Sequence, residues 1–169
     1  MRSIKFAAGL ALAVLAYAGA VRVTPGLAQA VDPFLVVAVL NALGGSSLAG
    51  LAGGLASGLV QDALTGGLFG LHGFANTLIG YAATRGAQRL VIERPSGVFA
   101  VVAVAALAQQ AVVVGLAWIL LPVSPFPEPQ WLAIRVLGCG VLGALTWAGS
   151  GWWRRFTSER RRRRGQKLH

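Results

Sequence analysis

Charge is scarce through most of this 169-residue chain. Asp, Glu, Lys and Arg make up 12% of it, about half of what a soluble domain carries. From Phe6 to Thr84 the formally charged side chains are Arg22, Asp32 and Asp62 alone. No stretch of domain size is polar enough for a water-soluble enzyme. Cysteine is nearly absent too. The single Cys139 excludes a disulfide framework and any cysteine metal motif. Two histidines, His72 and His169, are too few for a histidine metal site. The apolar runs are continuous rather than alternating, which argues against a membrane β-barrel. No nucleophile elbow is present, and no phosphate-cradling glycine loop followed by lysine. The sequence therefore predicts neither an enzyme nor a cofactor.

What is present is apolar: 56% hydrophobic residues and a mean hydropathy of +0.67. Six apolar segments can be drawn, from about Ile4 to Val21, Val31 to Leu43, Leu48 to Phe69, Leu71 to Thr84, Val98 to Leu121 and Trp131 to Gly149. Between the last two, Pro122, Pro125, Pro127 and Pro129 form a connector that cannot be helical. The predicted fold class is an all-α integral membrane protein of about six transmembrane helices. The second and fourth segments are short against the roughly 20 residues a crossing needs. Residues 1–153 form the transmembrane domain and 154–169 a basic cytoplasmic tail. Arg2 and Lys5 before the first apolar run, with Ala28-Gln29-Ala30 after it, also fit a secretory signal peptide. More membrane segments follow rather than a soluble domain, so an uncleaved first helix is the better reading.

The distribution of Lys and Arg orients the chain. With both termini inside and six crossings, the cytoplasmic side holds Arg2, Lys5, Arg85, Arg89, Arg94 and the eight basic residues after Trp153, thirteen in all. The outer side holds Arg22 and Arg135. The net charge of +10 sits at segment ends rather than on a folded face, which argues against nucleic-acid binding. Arg154, Arg155, Arg160, Arg161, Arg162, Arg163 and Arg164 are placed to contact anionic lipid headgroups. Trp118 and Trp131 on the outer side, and Trp147, Trp152 and Trp153 on the inner, fit an aromatic belt at each interface.

The third segment carries the most specific pattern. Gly50, Gly54 and Gly58 recur every four residues, a spacing that lets helix backbones approach closely in lipid. Asp62 continues the stripe. An unpaired carboxylate there costs at least a few kcal/mol, so it must be neutral, paired or near water. His72 and Asn76 follow at the start of the fourth segment, and a hairpin could bring Asp62 against His72 or Arg22. Gln109-Gln110 in the fifth segment is expected to bond across helices.

The run Gly54-Leu55-Ala56-Ser57-Gly58-Leu59-Val60-Gln61-Asp62, then Gly66-Gly67-Leu68-Phe69-Gly70-Leu71-His72-Gly73-Phe74, then Asn76-Thr77-Leu78-Ile79-Gly80-Tyr81, resembles the rod-shape-determining MreD family. That resemblance implies a non-catalytic scaffold subunit of the bacterial cell-elongation machinery in the inner membrane. Its implied partners are MreC, the RodA glycosyltransferase and a class B penicillin-binding protein, in a hetero-oligomer. It also implies a fold similar to the six-helix substrate-binding subunits of energy-coupling-factor vitamin transporters. The alternative is therefore a small-molecule binding subunit of such a transporter, although segments three and four offer few polar groups to line a cavity. On the scaffold reading, the small-residue face or lipid-facing grooves receive partner helices; Gly50, Gly54 and Gly58 serve partner binding or helix packing, Asp62 anchors the hairpin of segments three and four, and Gly80 with Tyr81 ends the fourth segment at the cytoplasmic interface.

Overall fold

The computed structural model describes residues 2–24, 26, 30–66, 68–88, 94–120 and 128–165, with side chains omitted for Arg2 and from Gly151 onward. Ala28, Gln29, Gly67, Arg89, Glu93, Pro122, Pro125 and Pro127 lie outside the described residues, as do the side chains of Trp152, Trp153 and the seven tail arginines named above. The described residues form six helices and no strand: α1 Arg2–Val23, α2 Pro33–Leu43, α3 Ser47–Thr65, α4 Leu71–Ala87, α5 Pro95–Leu120 and α6 Pro129–Gly165. Three of them are long and apolar enough to cross a membrane, over Ser3–Val23, Pro95–Leu120 and Pro129–Ser150.

The helix boundaries have local causes. Asp32 caps α2, its Oδ1 accepting from Leu35 N at 3.0 Å, and Pro33 occupies the first helical position, where its missing N–H removes no hydrogen bond. Ser46 caps α3 by accepting from Ala49 N at 3.3 Å. The third helix stops at Thr65 rather than near Phe69 because Gly66 takes the left-handed conformation, φ 67°, and its N–H returns to Asp62 O. Gly70, φ 97°, is the second left-handed glycine of this turn. Without a Cβ, both reach that region at no steric cost. At the other end of the chain, α6 runs on to Gly165, through most of the basic stretch. Arginine is a good helix former, and cations suit a helix C-terminus.

The eleven-residue α2 is about 16 Å long, roughly half a hydrocarbon core. It compensates by position: it packs against all five other helices. Phe34, Leu35, Val36, Ala38, Val39 and Ala42 are all buried. Leu35, Val36 and Val39 join Ile79 of α4, Val98, Val102, Ala105 and Ala106 of α5 and Cys139 of α6 in one apolar core. A short helix inside the bundle meets protein rather than lipid, so its length need not match the bilayer. The first helix is the opposite case. Of the other helices it packs mainly on α2, with Tyr17 tilted against Phe34 at 5.8 Å between ring centres.

The closest packing lies between α3 and α4. A Cβ at Gly54 or Gly58 would collide with the backbone carbonyl of Asn76 or His72, and one at Gly50 would lie 2.6 Å from Gly80 O. A Cβ at Gly80 would in turn meet Gly50 O. The glycine face is therefore filled by this chain's own fourth helix. Of the two roles open to the stripe, partner binding and helix packing, the structure shows helix packing, and along Gly50, Gly54 and Gly58 the neighbour is α4 of this chain. The fourth helix also continues past Gly80 and Tyr81 to Ala87, so these two residues lie within it rather than at its end.

Candidate functional site

Two polar centres sit inside this apolar bundle. The first belongs to the turn between α3 and α4. The N-cap of α4 is Gly70, which has no side chain to cap with. Asp62, reaching across from α3, does the capping instead. Its Oδ2 accepts from Gly70 N at 2.9 Å and Gly73 N at 3.0 Å, and its Oδ1 from His72 N at 3.1 Å. His72 Nδ1 adds a contact of 2.8 Å to Oδ1. A carboxylate at a helix N-terminus faces both orphan N–H groups and the positive end of the helix dipole. Asp62 thus finds His72, one of the two partners the hairpin offered, and three backbone donors besides.

The second centre joins five helices. Asp32 Oδ2, at the entrance of α2, accepts from Gln61 Nε2 of α3 at 2.7 Å, Gln109 Nε2 of α5 at 3.0 Å and Arg135 Nη2 of α6 at 2.7 Å. Asn76 of α4 closes the ring: its Nδ2 donates to Gln61 Oε1 at 3.2 Å and its Oδ1 accepts from Gln109 Nε2 at 2.8 Å. Arg135 Nη2 also reaches Gln109 Oε1 at 3.2 Å. Backbone and sulfur complete the set, Asp32 N donating to Cys139 Sγ at 3.2 Å. Asp32 is 3% exposed, and Asn76 and Gln109 are fully buried. A buried carboxylate needs a counter-charge and several donors to be tolerated, and this one has both. Arg135 Nε is buried without a partner.

A cavity of about 420 Å³ opens beside this cluster, lined by Tyr17 and Val21 of α1, Val31 and Asp32, Pro33 and Phe34 of α2, Gln61 and Thr65 of α3, His72 of α4 and Arg135 of α6. It touches both polar centres. The sequence reading found few polar groups for a cavity, because it looked along segments three and four. The lining is gathered instead from five helices.

Of the residues singled out in the sequence, Asp62, His72 and Asn76 take part in these centres. Gly50, Gly54, Gly58 and Gly80 hold the α3–α4 contact. Tyr81 stands apart, its hydroxyl accepting from Arg85 Nε at 3.1 Å and its ring lying 5.4 Å from that guanidinium carbon. Gln109 does bond across helices. Asp32 and Arg135 were read only as scarce charges near segment ends. The signal that could have paired them was available: two opposite charges near the same predicted membrane face, each needing a partner, and an Asp-Pro helix start.

The MreD family model, rod shape-determining protein MreD, matches residues 5–126 of the chain. This chain belongs to the MreD family. The match takes in both acids, the glycine stripe and the α3–α4 turn, and it ends before Arg135, so that one member of the ion pair lies beyond the matched segment. No curated protein and no solved structure matches the chain. Family membership gives the protein a role in rod shape determination and makes it a membrane component of the rod complex.

Proposed function

We propose that this protein is a non-catalytic scaffold subunit of the cell-elongation complex. On this reading it crosses the inner membrane six times with both termini cytoplasmic, in an arrangement like that of the vitamin-binding transporter subunits. It holds MreC beside RodA and a class B penicillin-binding protein in a hetero-oligomer, and residues 154–169 lie along anionic lipid on the cytoplasmic side. The observation that carries this reading is the cavity of mixed lining beside the Asp32 cluster. Lipid-facing apolar surface distinguishes partners poorly, because lipid tails are as apolar as leucine. With the glycine face taken up by α4, a scaffold needs another surface that lipid cannot imitate. An open cavity with Asp32, Gln61, His72 and Arg135 in its wall, set on a frame that ties five helices together, is such a surface.

Mild-detergent pull-down of the tagged chain, followed by mass spectrometry, tests it. MreC is expected in the eluate. Thr65→Trp, which projects a large ring from an exposed cavity position, is expected to lower MreC recovery without altering the thermal midpoint. Full MreC recovery with Thr65→Trp removes the cavity from the contact. The same cavity keeps a second reading in view, a small-molecule binding subunit, since its size and mixed lining suit a ligand. A transporter ATPase or a co-purifying small molecule in place of MreC would establish that reading.

A further inference from the structure

The wall of the cavity is not held evenly. Its polar members Asp32, Gln61 and Arg135 are bonded to one another across α2, α3 and α6. The share that α1 gives to the wall is Tyr17 and Val21. Among the described side chains, no hydrogen bond or ion pair joins α1 to another helix. The Asp32 cluster ties α2 through α6 and takes no member from α1.

The apolar ties of α1 are few as well. Ala13 is its one buried residue among those described, against seven of the eleven in α2. The contact with α2 includes the Tyr17–Phe34 ring pair and the seat of Gly9 on Val37, where an added Cβ would lie 3.6 Å from Val37 Cγ1. Phe6 also approaches Gly53 of α3. On separation in lipid, such contacts are replaced by acyl chains, which are as apolar as leucine. The bonds among α2 to α6 have no such substitute. Sparse burial and the lack of a polar tie put α1 at the low-stability end of the bundle. Opening has one cost. With α1 away, Asp32, Gln61 and Arg135 face acyl chains on that side, so the closed form prevails until an entering segment covers them.

We propose that α1 is a movable wall of the cavity. It swings off α2 while α2 to α6 stay together, and so opens the cavity sideways to the bilayer. A membrane-embedded segment of a partner then enters from within the bilayer. That this segment belongs to the elongation complex rests on the scaffold reading, but the movement itself does not.

The test is double electron–electron resonance on the full-length protein in nanodiscs. Spin labels at Leu12→Cys and Leu137→Cys report α1 against α6. Labels at Leu78→Cys and Leu137→Cys report α4 against α6. All three positions are exposed, and the native Cys139 is fully buried and stays unlabelled. The α4–α6 pair is expected to give a single distance, and the α1–α6 pair a second, longer one besides the first. Tyr17→Ala removes the ring pair and is expected to raise the ratio of long to short about fivefold. In an unlabelled protein, Gly9→Cys with Val37→Cys can close a disulfide without moving either helix. Oxidised before MreC is added, it is expected to lose most of its MreC in the pull-down, and reduction is expected to restore it. A single α1–α6 distance that Tyr17→Ala leaves unchanged overturns the proposal. So does full MreC recovery with the disulfide closed. If the unmodified protein recovers no MreC while the α1–α6 distance is double, the scaffold reading fails and the movable wall stands.

Discussion

Asp62 and Asp32 are both buried acids in an apolar bundle, 2% and 3% exposed, yet they are satisfied in different ways. Asp62 takes three backbone N–H groups and one imidazole, all from residues eight to eleven positions along the chain. Asp32 takes side chains from residues 29, 77 and 103 positions away. The first arrangement shapes a turn, and any sequence that makes the turn supplies the donors. The second fixes how separate helices stand to one another, and it needs a particular residue from each. In lipid this matters more than in water, because apolar burial does little to hold helices together. The small-residue stripe brings α3 and α4 into contact, and the Asp32 cluster ties α2 through α6 into one register.

The comparison breaks most sharply at Asp32. Asp32→Ala strips Arg135 of its counter-charge and Gln61 Nε2 of its acceptor, and leaves Gln109 Nε2 with Asn76 Oδ1 alone. An uncompensated buried charge is expected to cost about 3–5 kcal/mol, read as a fall in the unfolding midpoint in mixed micelles of rising SDS content. Removing both charges, as Asp32→Ala with Arg135→Met, is expected to restore most of that loss, since no charge is then stranded. A double variant as unstable as the single one would mean that the amide ring, rather than the ion pair, holds the five helices.

Gly54→Ala comes next. The added methyl meets the Asn76 carbonyl, which is backbone and cannot rotate aside. The helices must move apart, at about 3 kcal/mol on the scale of overpacked cores. Because α4 also carries Asn76, the shift is expected to loosen the Asp32 ring as well. Combining Gly54→Ala with Asn76→Ala is therefore expected to cost less than the sum of the two single changes in the same unfolding titration. Simple additivity would show that the stripe and the ring are independent.

The two regions were not equally legible in the sequence. The glycine repeat, Asp62 and His72 lie within one short stretch, so their spacing alone suggested a hairpin with an acid held near the turn. The glycine face left partner binding and helix packing both open for a physical reason: a stripe of small residues shows that a backbone comes close, but not whose. Here the next helix in the chain occupies it, since α3 and α4 are joined by a turn too short to let them separate. Asp32 with Arg135 was invisible for a different reason. Nothing in local periodicity relates residues a hundred positions apart, and Arg135 looked like an ordinary interfacial cation. Six helices were readable from the apolar runs, but the central place of α2 was not. Its shortness showed only as a shortfall against a full crossing, whereas a helix packed against all five neighbours is not held to the hydrocarbon thickness.

The smallest effect sharpens the comparison from the side of the turn. Asp62→Ala strips three backbone donors and one imidazole of their acceptor, and loss of a helix cap typically costs about 0.5–2 kcal/mol. His72→Ala removes only the imidazole contact. Gly70, Gly73 and the backbone of residue 72 still donate to Asp62, so less than about 1 kcal/mol is expected. If Asp62 serves the backbone of the turn, the Asp62→Ala midpoint should fall well below that of His72→Ala, and adding His72→Ala to Asp62→Ala should change little. Equal single losses would instead make the His72–Asp62 contact the main tie at this end. The two acids would then differ only in how far along the chain each finds its side-chain partner, and not in whether backbone or side chain satisfies them.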